Sequence, residues 1–367
     1  MKKFITICFL ALVTFPSALK CQENNLAGNF SVIGYYAGNA GDVGKYPIEY
    51  LTHIIYSFCH LKNGLLHVEN KNDSTTIQAI VDLKKRNPAL KVILSMGGWG
   101  GCGPCSDVFS TQKGRDDFSK STKNLLEYFN ADGIDLDWEY PGIAGFPGHT
   151  YNTADKYNFT LLLQSLRNIL GNKYEISFAA GGFTKFLDSS VEWGKIAPLV
   201  DKVNLMTYDL VHGFSTVTGH HTPLYSTPWQ IESTDHAVQY LDSIGFPKNK
   251  LVIGAAFYAR VFDVFKNEHN GLYVPGKFNY GISYKDFDTV ALKQQGFIYY
   301  WDSIAAAPYM YSREKKQVIS FDDAHSIYVK TKYALDKRLN GIMFWQLADD
   351  ATKNGLLEVI HEAVKEN

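Results

Sequence analysis

An α/β fold, a parallel (β/α)8 TIM barrel with one insertion, is predicted by this sequence on three observations. Strand-like apolar runs recur eight times, at Ser31–Tyr36, His53–Phe58, Lys91–Ser95, Gly133–Glu139, Glu175–Ala180, Lys202–Tyr208, Leu251–Tyr258 and Gly341–Gln346. Several intervals carry helical periodicity: Thr76–Arg86 places Ile77, Ile80, Val81 and Leu83 on one side, and Tyr157–Leu170 repeats Leu at helical spacing. Strand and helix alternating in this way imply parallel strands closed into a barrel, whose chemistry collects at the C-terminal strand ends. The third observation sits at one such end, where the fourth run carries a row of carboxylates.

From the N-terminus, the first element reads as an address. Met1-Lys2-Lys3 is basic, Phe4 to Phe15 is an apolar run of twelve positions with two threonines, and Pro16-Ser17-Ala18 supplies a break and small residues. The run is too short to span a bilayer, and no later stretch approaches the required length. A signal peptide over 1–21 is expected, with a soluble mature chain exported to the extracellular space or periplasm. Cys21 invites a lipoprotein reading, but Lys20 before it fits poorly where a small residue belongs, so export and cleavage are favoured over lipidation. Cys59 lies in the second apolar run. Cys102 and Cys105 are spaced like a redox pair, yet they fall in a Gly-rich loop of a long αβ chain. A loop-stapling disulfide is the expectation for an exported protein.

The fourth run carries the chemistry. Along Asp132-Gly-Ile-Asp-Leu-Asp-Trp-Glu139, strand alternation points Asp135, Asp137 and Glu139 one way and Ile134, Leu136 and Trp138 the other. Like charges one pleat apart cannot all ionise comfortably, so at least one pKa is driven upward. An acid kept protonated near neutrality is what a poor leaving group requires. A solvated edge strand would not need the apolar face, and a calcium loop needs Gly where Tyr140 stands.

Asp132-x-x-Asp135-x-Asp137-x-Glu139 resembles the signature strand of the family-18 glycoside hydrolases, the chitinases and their relatives. Four more segments resemble that family's motifs, in its order: Ser95-Met96-Gly97-Gly98-Trp99, Met206-Thr207-Tyr208-Asp209, Tyr258-Ala259-Arg260-Val261-Phe262 and Gly341-Ile342-Met343-Phe344-Trp345. Ala259 stands where Gly is usual. The resemblance covers about Val32 to Leu356.

The resemblance implies that Glu139 is the general acid, and that the substrate's own N-acetyl oxygen replaces the carboxylate nucleophile. Asp137 would then hold the acetamido N–H, and Asp135 would share or exchange a proton with Asp137. Tyr35 and Ser95 would hydrogen-bond Asp135, while Tyr208 would hold the acetamido carbonyl. Asp209, fixed by Arg260, would contact the sugar; Trp345 would form the floor beneath the pyranose and Trp99 a platform for the next sugar. Phe58, Met206 and Tyr258 would line the pocket. Asp132 reads as structural, and His220 and His221 receive no chemistry.

One interval is too long. About 80 residues separate the seventh and eighth runs, and 263–316 is rich in Tyr, Phe and Gly. The resemblance implies a small α+β insertion there, walling a substrate groove, with the barrel split over 30–262 and 317–365.

Lys+Arg total 36 against Asp+Glu 37, so no charge imbalance advertises nucleic acid or an anionic membrane. The expected partner is chitin or chito-oligosaccharide, bound by a monomer that needs no metal or other cofactor. Two alternatives compete: an endo-β-N-acetylglucosaminidase acting on N-glycans, and a silent chitin-binding lectin.

Overall fold

Residues 30–366 are described by the computed structural model, so the expected signal segment and Cys21 lie outside the described residues. The strands in chain order are β1 (Ser31–Tyr36), β2 (His53–Lys62), β3 (Leu65–His67), β4 (Lys91–Gly97), β5 (Gly133–Asp137), β6 (Glu175–Gly181), β7 (Lys202–Met206) and β8 (Leu251–Ala256). They continue with β9 (Tyr258–Val264), β10 (Gly276–Ser283), β11 (Ile298–Asp302), β12 (Ala307–Ser312), β13 (Gln317–Ser320) and β14 (Gly341–Trp345). Parallel pairing runs β1-β14-β8-β7-β6-β5-β4-β2, and β2 returns to β1, so the expected (β/α)8 barrel is closed. The small strand β3 folds back antiparallel on the end of β2.

Alternation along the strands builds two cores. Ile33, Tyr35, Ile55, Ile93, Met206, Val252 and Met343 fill the barrel interior. Their neighbours Val32, Ile54, Val92, Leu94, Ile134, Leu136 and Ile342 face outward beneath the helices. Trp138 joins that outer layer, as its place beside Ile134 and Leu136 predicts.

The helical periodicity locates two helices but misses their starts. Helix Asp155–Leu170 begins two residues before Tyr157 and buries Phe159, Leu162, Leu163, Leu166 and Leu170. Helix Lys71–Asp82 begins well before Thr76, because Asn70 caps it by accepting from Asn72 N and Asp73 N while its first turn faces solvent. Polar first turns carry no hydrophobic period, which is why apolar spacing misses them. Four strands also end early: β5 stops at Asp137, β7 at Met206, β8 at Ala256 and β14 at Trp345, so Glu139 and Tyr208 lie beyond the ladder instead of on it.

Between β8 and β14 the chain forms a separate antiparallel sheet in the order β10-β9-β13-β12-β11. A short helix, Thr289–Gln294, packs with it, and apolar clusters cover both faces. The sheet starts at Tyr258 and ends at Ser320, so its first and last strands in chain order, β9 and β13, reach beyond 263–316. Among the described residues no helix is long and apolar enough to cross a membrane.

Candidate active site

Asp135 is the hub. Its register partners on the flanking strands are Ser95 on β4 and Ser177 on β6, and all three project into the barrel. Asp135 Oδ2 accepts from Ser95 Oγ at 2.8 Å and from the Tyr35 hydroxyl at 3.1 Å. Its Oδ1 accepts from Ser177 Oγ at 2.7 Å and Asn204 Nδ2 at 3.1 Å. The same Asn204 amide donates to the Tyr35 oxygen at 3.0 Å. Burial pushes the Asp135 pKa up, and these four donors pull against it.

Sequence reasoning found Tyr35 and Ser95 but missed Ser177 and Asn204. Both stand at inward positions of β6 and β7, a polar signal that strand alternation carries once the register is known. Among the described residues no hydrogen bond joins Asp135 to Asp137, and each Asp135 oxygen accepts two bonds from other donors.

Asp137 ends β5 almost wholly buried, and its Oδ1 meets no hydrogen-bond partner among the described residues. Burial, then the charges of Glu139 and Asp135, hold its pKa well above the ordinary range. Glu139 follows two residues on, deep in the mouth of the barrel. Burial raises its pKa to about 7; a hydrogen bond from Tyr140 opposes the rise and the Asp209 charge adds to it. Tyr140 thus belongs to the site, although the sequence reading used it only to exclude calcium. The peptide bonds Ser57–Phe58, Glu139–Tyr140 and Trp345–Gln346 are cis.

The Gly-Gly of the third-strand segment has a steric reason. A Cβ at Gly97 would overlap the Asp137 carbonyl oxygen, and one at Gly98 would strike the Phe58 ring; both residues also have positive φ, +117° and +83°. Glycine therefore lets β4 turn directly beneath the carboxylates, where Gly98 N donates to Asp137 O at 2.9 Å.

Tyr208 lies just past β7 with its ring edge-on to Tyr258, centroids 6.2 Å apart, and its hydroxyl 3.9 Å from Met343 Sδ. Asp209 follows with φ +54°, a left-handed conformation that costs a non-glycine residue about 1 kcal/mol. Arg260, on β9, grips its carboxylate with Nε on Oδ1 and Nη2 on Oδ2. Although burial works the other way, His221 and Arg260 hold the Asp209 pKa well below the carboxylate range. His221 Nδ1 stands 3.5 Å from Asp209 Oδ1, so this histidine belongs beside the site despite the expectation of no chemistry. Its neighbour His220 pairs away from the site, with Asp302 at 3.1 Å.

Aromatic rings gather in two groups. Phe58 stacks on Trp345 with centroids 5.6 Å apart and planes 12° from parallel, and Tyr35 lies 6.0 Å from the same indole. Met206 sits in the interior cluster with Tyr208, Tyr35 and Met343. Trp99 is 48% exposed, with Phe146 at 5.6 Å, Phe214 at 6.3 Å and Tyr140 at 6.4 Å. Phe146 and Phe214 escaped the sequence reading, because lone aromatics in loops carry no period. Behind Trp99 a disulfide joins Cys102 and Cys105. Asp132 has a structural place, accepting from Val92 N at 2.7 Å and pairing with Lys84 at 2.6 Å. Among the described residues no cluster of three His, Cys, Asp or Glu side chains is placed to hold a metal.

A family model described as glycosyl hydrolases family 18 matches residues 31–350, nearly all of the barrel and its insertion. The chain belongs to this family. Among family-18 relatives, chitinase A1 of Niallia circulans is 35% identical over 96% of this chain, which spans 61% of that protein. Chitotriosidase-1 of Mus musculus is 32% identical over 82% of this chain and 68% of its own length. Among solved structures, a family-18 N-acetylglucosaminidase from Paenibacillus barengoltzii superimposes with a TM-score of 0.83 at 35% identity, covering 91% of this chain and 100% of its own. Chitinase ChiA74 from Bacillus thuringiensis gives 0.84 at 27% identity, covering 92% and 70%. The carboxylate row lies inside the matched span.

Proposed function

We propose that this family-18 chain hydrolyses β-1,4 linkages of chitin and N-acetylglucosamine oligomers, with retention and by substrate assistance. One observation carries the reading. Glu139 has its pKa raised to about 7, two residues from an Asp137 whose Oδ1 has no partner among the described residues. The first is an acid still holding a proton at neutral pH; the second is an acceptor suited to an amide N–H.

In this mechanism Glu139 donates its proton to the glycosidic oxygen as the C1–O bond breaks. The acetamido carbonyl oxygen attacks C1 from the other face, and the acetamido nitrogen acquires positive charge. Asp137 accepts that N–H and stabilises the charge. The Tyr208 hydroxyl donates to the carbonyl oxygen and keeps it in line. Water then attacks C1, gives its proton to Glu139, and returns the acetamido group. Asp135, saturated by its own donors, stays in place and keeps a negative field behind Asp137. Trp345, backed by Phe58, supplies the stacking floor; Trp99, Met206, Tyr258, Asp209 and Arg260 shape the rest of the groove. The relatives named chitinase support the substrate class, and the basic-apolar start at 1–21 supports export to where such a polymer lies.

Mass spectrometry of chitohexaose products tests the reading beside an N-glycosylated protein. Shortened chito-oligomers from the wild type are expected, with loss of turnover by about 100-fold or more in Glu139→Gln and retained oligomer binding. Released N-glycans with intact chitohexaose would instead favour the endo-glycosidase, and two untouched substrates the lectin. Release of single sugars against disaccharides will show whether the chain acts as its Paenibacillus neighbour is named.

A further inference from the structure

The Asp209 carboxylate is held from two sides by parts of the chain that are themselves tied together. Arg260 lies on β9 opposite Ser320 of β13, and Ser320 Oγ accepts from His221 N at 2.9 Å. The carbonyl of His221 in turn accepts from Leu210 N, the residue after Asp209, at 3.0 Å. His221 is wholly buried, and its ring lies 5.3 Å from the Tyr258 ring. Its Nδ1 is 3.5 Å from Asp209 Oδ1, within electrostatic reach but short of hydrogen-bond geometry. Neither ring nitrogen has a hydrogen-bond partner among the described residues. A buried imidazole with no partner is costly, and folded chains keep few such groups. This one lies against the single carboxylate of the site whose backbone is left-handed. Burial also moves its pKa downward, consistent with a neutral ring.

We propose that His221 is a positioning residue for Asp209. Its neutral imidazole, with the proton on Nδ1, occupies the Oδ1 side of the carboxylate while Arg260 grips both oxygens. The lone pair left open on Oδ2 is thereby turned toward the sugar. The inference rests on the proposed glycosidase reading, in which Asp209 contacts the substrate. It adds a residue that the sequence motif does not contain, supplied by the loop after β7 and locked to β13 of the insertion sheet.

Replacements of matched shape test it. In His221→Asn the side-chain amide nitrogen takes the place of Nδ1; in His221→Gln a donor reaches only as far as Nε2; His221→Leu removes both. On chitotetraose, His221→Asn is expected within about 3-fold of wild-type kcat/KM, and His221→Leu and His221→Gln lower by about 10- to 100-fold, the scale of loss when a site group is misplaced. In an Asp209→Asn background the His221→Leu loss should nearly vanish, since the group it positions has gone. Equal effects of Asn and Leu, or a Leu effect undiminished in that background, would overturn the proposal. If His221→Leu fails to fold by circular dichroism, the Asn–Gln contrast decides alone. Wild-type protein inert toward chito-oligomers would mean instead that the glycosidase reading itself fails.

Discussion

The proton on Glu139 sets a measurable limit on the proposed reaction. An ordinary glutamic acid with pKa 4.5 would be about 0.3% protonated at pH 7, whereas the value of about 7 leaves it about half protonated. The site thus gains roughly 150-fold in the active form, or about 3 kcal/mol of preference for the neutral acid. Since kcat/KM reports the free enzyme, its alkaline limb should fall near pH 7 on an oligomer whose leaving group needs a proton. A glycosyl fluoride needs little proton assistance and should lose most of that limb.

The causes of the shift provide further variants. Asp209→Asn removes a charge that raises the pKa and should move the limb to lower pH. Tyr140→Phe removes a donor that lowers it and should move the limb up. Folding stability offers a readout independent of turnover. A folded-state pKa above the unfolded value gives stability that is present below pH 4.5 and lost as pH rises through about 7. Urea unfolding should therefore find Glu139→Gln level with wild type below pH 4.5 and up to about 3 kcal/mol more stable above pH 8. A limb below pH 5.5, or one identical for both leaving groups, would refute the assignment.

Three other outcomes follow from the same geometry. Ser177→Ala and Asn204→Leu should each cost about 1–3 kcal/mol in urea unfolding, because each strips a donor from a buried carboxylate. At the barrel floor Glu175 accepts from Lys202 at 2.7 Å and Lys91 at 2.9 Å and lies 3.3 Å from His53; despite its burial, these partners hold its pKa well below 4.5. A depressed pKa gives stability present above the unfolded value and lost on acidification, so Glu175→Gln should be less stable by about 3–5 kcal/mol near pH 7, with the gap narrowing below pH 4.5. Trp345→Ala should raise KM for chitotetraose roughly tenfold by removing the stacking floor, as steady-state kinetics will show.

The depth of the sequence reading differs from residue to residue. Asp135, Asp137 and Glu139 stand two apart, and two is the period of a strand, so their common direction was legible locally. Tyr35 and Ser95 were placed beside Asp135 by resemblance, whereas Ser177 and Asn204 carry no mark that separates them from other small polar residues. They became visible only when β6 and β7 took their register beside β5. Glu139 was read as a strand residue, yet the ladder stops at Asp137 and the acid stands on the turn beyond it.

The amino-acid sequence by itself determined the eight-stranded barrel, because hydrophobic period and strand length are local properties that survive without neighbours. It also determined the carboxylate row, whose common direction follows from the two-residue period of one strand. The tertiary structure alone decided which donors saturate Asp135, how far burial lifts Glu139, and that His221 presses on Asp209. Hydrogen-bond partners 40 to 100 residues apart and the desolvation of a carboxyl both depend on which surfaces meet, and those meetings exist only after the barrel has closed.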